Sequence, residues 1–459
     1  MATARSFSFM RKNLKNSPYF RNSGGFQLLS RAAFSIREGK VFSSTDSTND
    51  GFSGPEMMHM KEIKYHLRNS VLGPSKYWSG ETTRLDLPTL EQPERQDQLP
   101  SRRMKDSYQA AILPIGTDLK LRQKYLNFYQ TVRLGKILED LDILAAWIAY
   151  LHIHGGCKAM LNSDTPSPHT VVTALVDRID LYEQSILPDH DIQISGNVTW
   201  VGRSSMKVSM DLKQDRDDGL FHILDACFLM VSRDVKNARA ALVNPLMLET
   251  EEEKRIFKKG EENRNKSIAS GKTDLMKKAP TAQESEEIHN LMLETLQFDT
   301  GVKKVRHKVD NSILMEDTEL SSVFVCNPQQ RNSHNKIFGG YLLEKAFTLS
   351  WTNACLFSGN RPVFRSMDDI RFRKSVEIGS IVEFTSRIVY TPLQPTKRFQ
   401  VMTVADVIQP TTGERETTNI FYYTFESENN VRSIAPRTYA EAMRYLNGKR
   451  RYEKRQATK

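Results

Sequence analysis

The chain is 459 residues long, with 39% hydrophobic and 26% charged residues and a formal net charge of +10. This length is enough for roughly two or three domains, each with its own hydrophobic core. Residues 1–40 contain eight basic residues and one acid, so most of the excess positive charge lies at the N terminus. A charge distributed in this way argues against a nucleic-acid-binding protein.

The segment 1–40 is rich in Arg, Ser and Phe, and its first acid is Glu38. It has no continuous apolar stretch of the kind that secretory signals carry. This composition predicts a cleaved mitochondrial transit peptide, with the mature protein in the matrix or at the matrix face of the inner membrane. The alternative explanation is a disordered basic tail.

The remaining sequence indicates neither a membrane span nor a metal framework. No run approaches the roughly 18 apolar residues that a transmembrane helix needs. The four cysteines are scattered without C-x-x-C spacing, which fits a reducing compartment and argues against disulfides or a zinc site. We therefore expect no transmembrane helix, no metal and no cofactor.

In chain order, the sequence predicts two similar domains with other segments around them. In each domain a strand that ends at a proline (108–114 and 321–328) precedes a long helix with apolar residues at helical spacing. Strands of alternating polarity follow the helix, for example at 381–390. The predicted segments are a transit peptide (1–40), a polar extension (41–100) with a short helix near 56–69, a first domain (101–250), a charged linker (251–306), a second domain (307–446) and a basic C-terminal tail (447–459).

The long helix occurs twice, as TVRLGKILEDLDILAAW (131–147) and as NKIFGGYLLEKAFTLSW (335–351). When Gly135 is aligned with Gly340, the apolar positions of the two copies coincide. Each copy lacks polar or glycine residues that the other has, so we predict one composite site to which both copies contribute. The paired differences are Asp142 and Phe347, Leu134 and Gly339, and Gln130 and Asn335.

A strand, a long helix that begins at a Gly-Gly pair, and a run of antiparallel strands resemble the hotdog fold. Two such units in one chain resemble the double-hotdog acyl-coenzyme A thioesterases. The likeness is carried by NKIFGG (335–340), DDIRFRKSVEIGS (368–380) and VTWVGRSSMKV (198–208). It implies an α+β fold of two tandem hotdog units, each an antiparallel sheet around a long central helix. It also implies a homo-oligomer that hydrolyses fatty acyl-coenzyme A (acyl-CoA) in mitochondria.

The resemblance further implies a carboxylate on one central helix and an Asn or Asp in the loop before the other. Asp142 matches the helix position, and we predict that it is the general base. Gly339 and Gly340 would offer backbone N–H groups to the carbonyl oxygen of the substrate. Lys336 stands where the loop residue is usually found, so Asn335 fits the pattern only if the loop is shifted by one residue.

Phosphate groups of coenzyme A require Arg, Lys or hydroxyl partners. The predicted contacts are Arg203, Ser204 and Ser205 in a turn, Arg387 on a strand, and Lys336. Solvated charges at strand ends are the alternative explanation for them.

Other chemistries have weaker support in the sequence. His152, His154 and Cys157 lack a second ligand cluster and are expected to be structural, and no G-x-S-x-G motif is present. Two alternatives to a thioesterase stay open. One is a non-catalytic acyl-CoA binding protein, with Lys336 in place of the catalytic group. The other is a hotdog enoyl-CoA hydratase that uses His334.

Overall fold

The computed structural model describes residues 57–72, 93–162, 167–182, 186–217, 219–234, 239–272, 275, 278–294, 296–298, 305–307, 312–332 and 336–456. The predicted transit peptide, His334 and Asn335 lie outside these residues. Within them, no helix combines the length and the apolar character that crossing a membrane requires.

The chain contains the same order of elements twice: an edge strand, a long helix, and four antiparallel strands. The elements up to the end of the first repeat are β1 (Met58–His59), α1 (Met60–Leu72), β2 (Arg102–Arg103), β3 (Gln109–Leu113), α2 (Leu119–Tyr125), α3 (Leu134–His154), α4 (Cys157–Leu161), β4 (Thr170–Leu181), β5 (Ile192–Val201), β6 (Ser205–Arg216), β7 (Gly219–Arg233) and β8 (Leu246–Met247). The later elements are α5 (Glu251–Lys272), α6 (Ala282–Glu294), β9 (Leu296–Phe298), β10 (Val305–His307), β11 (Ser312–Leu314), β12 (Leu320–Val325), α7 (Gly339–Ser358), β13 (Val363–Arg371), β14 (Ile381–Tyr390), β15 (Arg398–Ile408), β16 (Arg415–Glu426), β17 (Ser433–Ala435) and α8 (Tyr439–Gln456).

The main strands of both repeats join in one sheet, in the order β1-β3-β5-β6-β7-β4-β13-β16-β15-β14-β12 over the described residues. The seam between the repeats is the antiparallel pair β4–β13, in which Ser366 lies opposite Asp180. Along each strand alternate residues point toward the central helices, as Met206 and Val208 do on β6. The predicted α+β fold of two hotdog units is confirmed.

The central helices α3 and α7 cross each other near their N termini. The crossing is close because a glycine lies at each contact. A Cβ atom on Gly135 would lie 3.3 Å from Glu344 Cγ, and one on Gly340 would lie 3.1 Å from Glu139 Cα. Each helix therefore presents its N terminus to the second turn of the other, which places the two ends of the predicted composite site together.

The outer face of each half of the sheet is crossed by a helix that approaches it through a glycine. In the first repeat, a Cβ on Gly260 of α5 would lie 2.8 Å from Trp200 Cβ on β5. In the second, a Cβ on Gly448 of α8 would lie 2.8 Å from Tyr390 Cβ on β14. The predicted charged linker thus begins with a helix that is packed on the sheet.

The predicted basic tail is not a separate segment, because α8 runs without a break across residue 447. Its cations have acidic partners elsewhere in the fold. Arg450 Nε lies 2.5 Å from Glu284 Oε1 on α6, and Arg455 forms an ion pair with Asp180 on β4. These carboxylates bind the basic run to the linker and to the seam.

Part of the predicted polar extension packs on the first repeat. β1 pairs with the edge of β3, with Met58 opposite Ala111. α1 places Ile63 in the hydrophobic core, and Lys64 Nζ lies 2.5 Å from Asp140 Oδ1 on α3. The extension therefore covers one edge of the sheet and the adjacent face of α3.

Candidate active site

Asp142 lies about two turns into α3, and its side chain is 0% exposed. Its Oδ1 accepts a 2.6 Å hydrogen bond from Thr173 Oγ1 on β4. Its Oδ2 is buried and makes no hydrogen bond of normal geometry, although the backbone N–H of Gly340 interacts with the carboxylate at longer range. Burying an incompletely paired carboxylate costs free energy of folding, so this arrangement indicates a role other than stabilisation.

Burial raises the pKa of Asp142 to about 6. The hydrogen bond from Thr173 and the N–H group of Gly340 lower this pKa in part, and the neighbouring Glu139 raises it. A carboxylate with a pKa near 6 is mostly ionised at neutral pH and accepts a proton readily. These are the properties of a general base.

The N terminus of α7 faces the free oxygen of Asp142. A Cβ on Gly339 would lie 3.2 Å from Asp142 Oδ2 and 3.2 Å from Phe372 Cε1. A Cβ on Gly340 would lie 2.8 Å from Phe338 Cε1. Gly339 therefore keeps a side chain out of the space beside the carboxylate, and Gly340 leaves room for the Phe338 ring and for the helix crossing. The N–H groups of a helix N terminus also attract negative charge at this place.

Backbone hydrogen bonds join the described residues that precede α7. Asn332 N donates to Lys336 O at 2.6 Å, and Phe338 N donates to Gln330 O at 2.9 Å. The Lys336 ammonium forms an ion pair with Glu377. The roles of Asn335 in the reaction and of Lys336 in binding coenzyme A stay predictions.

Thr173, the hydrogen-bond partner of Asp142, was not predicted from the sequence. A threonine on a strand is common and gives no signal by itself. Comparison of the two repeats does identify it. β4 has a β-bulge directly after Thr173, and β13 has a β-bulge at the same place, directly after Phe364. Thr173 and Phe364 are therefore counterparts. The polar pair Asp142–Thr173 corresponds to the aromatic pair Phe347–Phe364.

The second location, related to the first by the repeat, is filled by aromatic side chains. The ring centroid of Phe347 lies 5.4 Å from that of Phe364 and 5.7 Å from that of Tyr423. Arg133 Nη2 lies 2.8 Å from Glu344 Oε1 at the helix crossing there. We call this location the aromatic site. Phe347 takes the place of Asp142 in it, which supports the prediction of a single composite site.

The two histidines at the C-terminal end of α3 have structural partners. His152 Nε2 lies 2.8 Å from Asn244 O, and His154 Nε2 lies 2.8 Å from Ser167 Oγ. Burial lowers the pKa of His152 to about 4. In the described part of the chain, no group of three or more His, Cys, Asp or Glu side chains could hold a metal ion.

Apart from Lys336, the side chains predicted to bind coenzyme A lie on elements away from the start of α7. The turn 203–205 lies near the C-terminal end of α3, where Val243 N donates to Arg203 O at 3.2 Å. Arg387 lies on the outer face of β14 and forms an ion pair with Glu319. Contact between these residues and coenzyme A stays a prediction.

A different basic segment adjoins the site. Phe372, whose ring faces Gly339, donates its N–H to Ala174 O at 3.0 Å. The next residue, Arg373, is exposed. Arg373 therefore directly follows the residue whose ring contacts the start of α7, a position that the sequence did not single out.

No family model matches the sequence. The chain is 41% identical over 399 residues to acyl-coenzyme A thioesterase 9, mitochondrial, of Homo sapiens, an alignment covering 86% of this chain and 89% of the relative. It is 40% identical over 402 residues to acyl-coenzyme A thioesterase 10, mitochondrial, of Mus musculus, covering 87% and 89%. Among solved structures, an acyl-CoA hydrolase from Staphylococcus aureus aligns with 32% of this chain and 92% of its own, with 20% identity and a TM-score of 0.30.

Proposed function

Because this chain belongs to the acyl-coenzyme A thioesterase family, we propose that it hydrolyses acyl-CoA at one composite site, formed by Asp142, Thr173 and the N terminus of α7. The chain is a mitochondrial thioester hydrolase that produces a free acid and coenzyme A. The observation that carries the proposed site is the buried carboxylate of Asp142, whose free Oδ2 faces Gly339 of the other repeat.

In this proposal Asp142 is the general base. Thr173 Oγ1 holds one carboxylate oxygen, so the other oxygen binds the attacking water. As the water oxygen forms a bond to the carbonyl carbon, Asp142 takes the proton that the water loses. A positioned base of this kind contributes a rate factor of about 10²–10⁴.

The N terminus of α7 stabilises the charge that develops on the substrate. When water adds, the carbonyl oxygen becomes negative, and the N–H groups at Gly339 and Gly340 are the donors that face it. The tetrahedral intermediate then breaks its C–S bond. The thiolate of coenzyme A leaves and takes the proton held by Asp142, which restores the free carboxylate.

Release of free thiol from a panel of acyl-CoA esters tests this function. Wild-type protein should liberate thiol, and Asp142→Asn should not. An enoyl-CoA hydratase would change the enoyl absorbance without releasing thiol, and a non-catalytic binding protein would do neither. Near wild-type turnover by a folded Asp142→Asn variant would remove Asp142 from the mechanism.

We further propose that the enzyme acts in the matrix as a homo-oligomer. The basic leader 1–40 supports the first point. The edge strand β12 supports the second, because Val323 and Val325 are each 55% exposed there. Amino-terminal sequencing of the mature protein should begin beyond about residue 30, and light scattering should give a mass above that of one chain. An intact Met1 in the cytosol, or a monomer, would contradict these points.

A further inference from the structure

We propose that Asn419 is a third polar residue of the composite site and that its amide oxygen accepts a hydrogen bond from a donor that arrives with the substrate. The inference rests on the site proposed above. Asn419 is buried and has no part in the mechanism of Asp142, Thr173 and α7.

Asn419 lies next to the site, on the inner face of β16, and is 0% exposed. Its Nδ2 donates a 3.3 Å hydrogen bond to the backbone oxygen of Arg371, the last residue of β13. The following residue, Phe372, has its ring against Gly339. Asn419 is therefore bound to the strand end that forms one side of the site.

The other polar atom of this side chain has no partner. Asn419 Oδ1 is buried and makes no hydrogen bond. An unpaired buried acceptor costs stability. Such an atom is explained if a donor forms a hydrogen bond to it in another state of the protein. For a residue in this position, that state is the complex with substrate.

The repeat gives an independent observation, because it identifies the counterpart of Asn419. A β-bulge precedes Leu224 on β7 and Asn419 on β16 at the same place in the sheet. The bulged residues also accept matching hydrogen bonds, from Tyr182 N to Ile223 O and from Arg373 N to Thr418 O. Leu224 is therefore the residue that the aromatic site has where the composite site has Asn419.

The polar residues follow the site and not the repeat. Asp142 and Thr173 belong to the first repeat and Asn419 belongs to the second. All three nevertheless lie at the composite site and not at the aromatic site. At the aromatic site each of them is replaced by an apolar residue. The three polar and apolar counterparts are Asp142 and Phe347, Thr173 and Phe364, and Asn419 and Leu224.

Two hydrogen-bond donors accompany an acyl-CoA thioester. One is the attacking water, and the other is the amide N–H of the pantetheine arm, which two carbons separate from the sulfur. Both offer the N–H or O–H group that a carbonyl-type oxygen accepts. The acyl chain, a hydrocarbon, offers none.

The test replaces Asn419 by its own counterpart. Asn419→Leu should keep the thermal stability of the wild type and lower kcat/KM on acyl-CoA about threefold to tenfold, the effect of one hydrogen bond. Asn419→Ala, which needs no extra space, should give the same loss. The matched control is Tyr423→Phe. It removes the Tyr423 hydroxyl, which is also buried without a hydrogen-bond partner and lies on the same strand, but at the aromatic site. It should leave kcat/KM unchanged.

An S-acyl thioester of ethanethiol, which lacks the amide, identifies the donor. If the loss in Asn419→Leu persists on this substrate, the donor is the water; if the loss disappears, it is the pantetheine amide. Unchanged kcat/KM in both Asn419 variants, or an equal loss in Tyr423→Phe, overturns the proposal. Asp142→Asn distinguishes failure of the proposed site from failure of the role of Asn419. An active Asp142→Asn variant refutes the site itself. An inactive Asp142→Asn variant together with fully active Asn419 variants refutes only the role of Asn419.

Discussion

Asp142→Asn is expected to make the protein more stable at neutral pH while it abolishes turnover. The wild-type carboxylate is completely buried, and one of its oxygens has no hydrogen-bond partner. Asparagine has nearly the same shape and can still accept the hydrogen bond from Thr173. The substitution therefore removes the cost of burying a charge and keeps the packing.

The gain has a defined dependence on pH. An unperturbed aspartic acid titrates at 3.8, and Asp142 in the native state titrates at about 6. Between these values the native state holds a proton that the unfolded state has lost, so wild-type stability falls as the pH rises through this window. Raising the pKa from 3.8 to about 6 corresponds to about 3 kcal/mol, which is the largest gain in stability available above pH 6.

The new amide reduces that gain, because its N–H groups would face the N–H groups at the start of α7. We expect a net stabilisation of about 1–2 kcal/mol at pH 7.5, after the cost of one mismatched polar contact. Urea unfolding of both proteins at pH 7.5 and pH 4.5 measures this difference, with the exposed Asp217→Asn as a control. The advantage should shrink at pH 4.5. A variant that is less stable at pH 7.5, or a difference independent of pH, would refute the reasoning.

Four further outcomes are expected. Wild-type kcat/KM should fall as the pH drops through about 6, because protonated Asp142 cannot act as a base; a flat profile would contradict that role. Thr173→Val should lower kcat and move this fall in kcat/KM to higher pH, because the hydrogen bond from Thr173 lowers the pKa of Asp142 and its removal raises that pKa; an unchanged pH profile would show that Thr173 does not act on Asp142. Asn335→Ala should lower the rate and Gln130→Ala should not, whereas equal losses would indicate two working sites. Lys336→Ala should raise KM with little change in kcat, and a collapse of kcat would place the ammonium at the reacting carbonyl.

The sequence was sufficient to predict the elements of the fold. Periodicity is a local property, so the strand predicted at 381–390 and the two long helices are found where the pattern put them. The packing of α5 and α8 was not predictable, because their contacts with Trp200 and Tyr390 join residues that are distant along the chain. Charge patterning alone fits both a solvated helical linker and a partly disordered one.

The site was predictable only where the two copies of the helix differ visibly. Asp142 and the Gly-Gly pair stand out because one copy has them and the other does not. Thr173 and Asn419 were missed because polar residues alternate along every half-buried strand, and only the β-bulges establish which residues are counterparts. Contact of the turn at 203–205 with coenzyme A stays a prediction, because the sequence does not say which end of a strand faces the catalytic carboxylate.

The seam between β4 and β13 joins the repeats as two separate subunits would pair. If the partners were identical chains, every substitution would appear twice, and a phenylalanine at one location could not coexist with an aspartate at the other. A single gene that encodes both copies removes this restriction. One half can then lose its reactive groups and become a rigid aromatic support, while the other keeps the costly buried charge. Covalent linkage of the repeats therefore allows the two ends of one seam to carry different side chains.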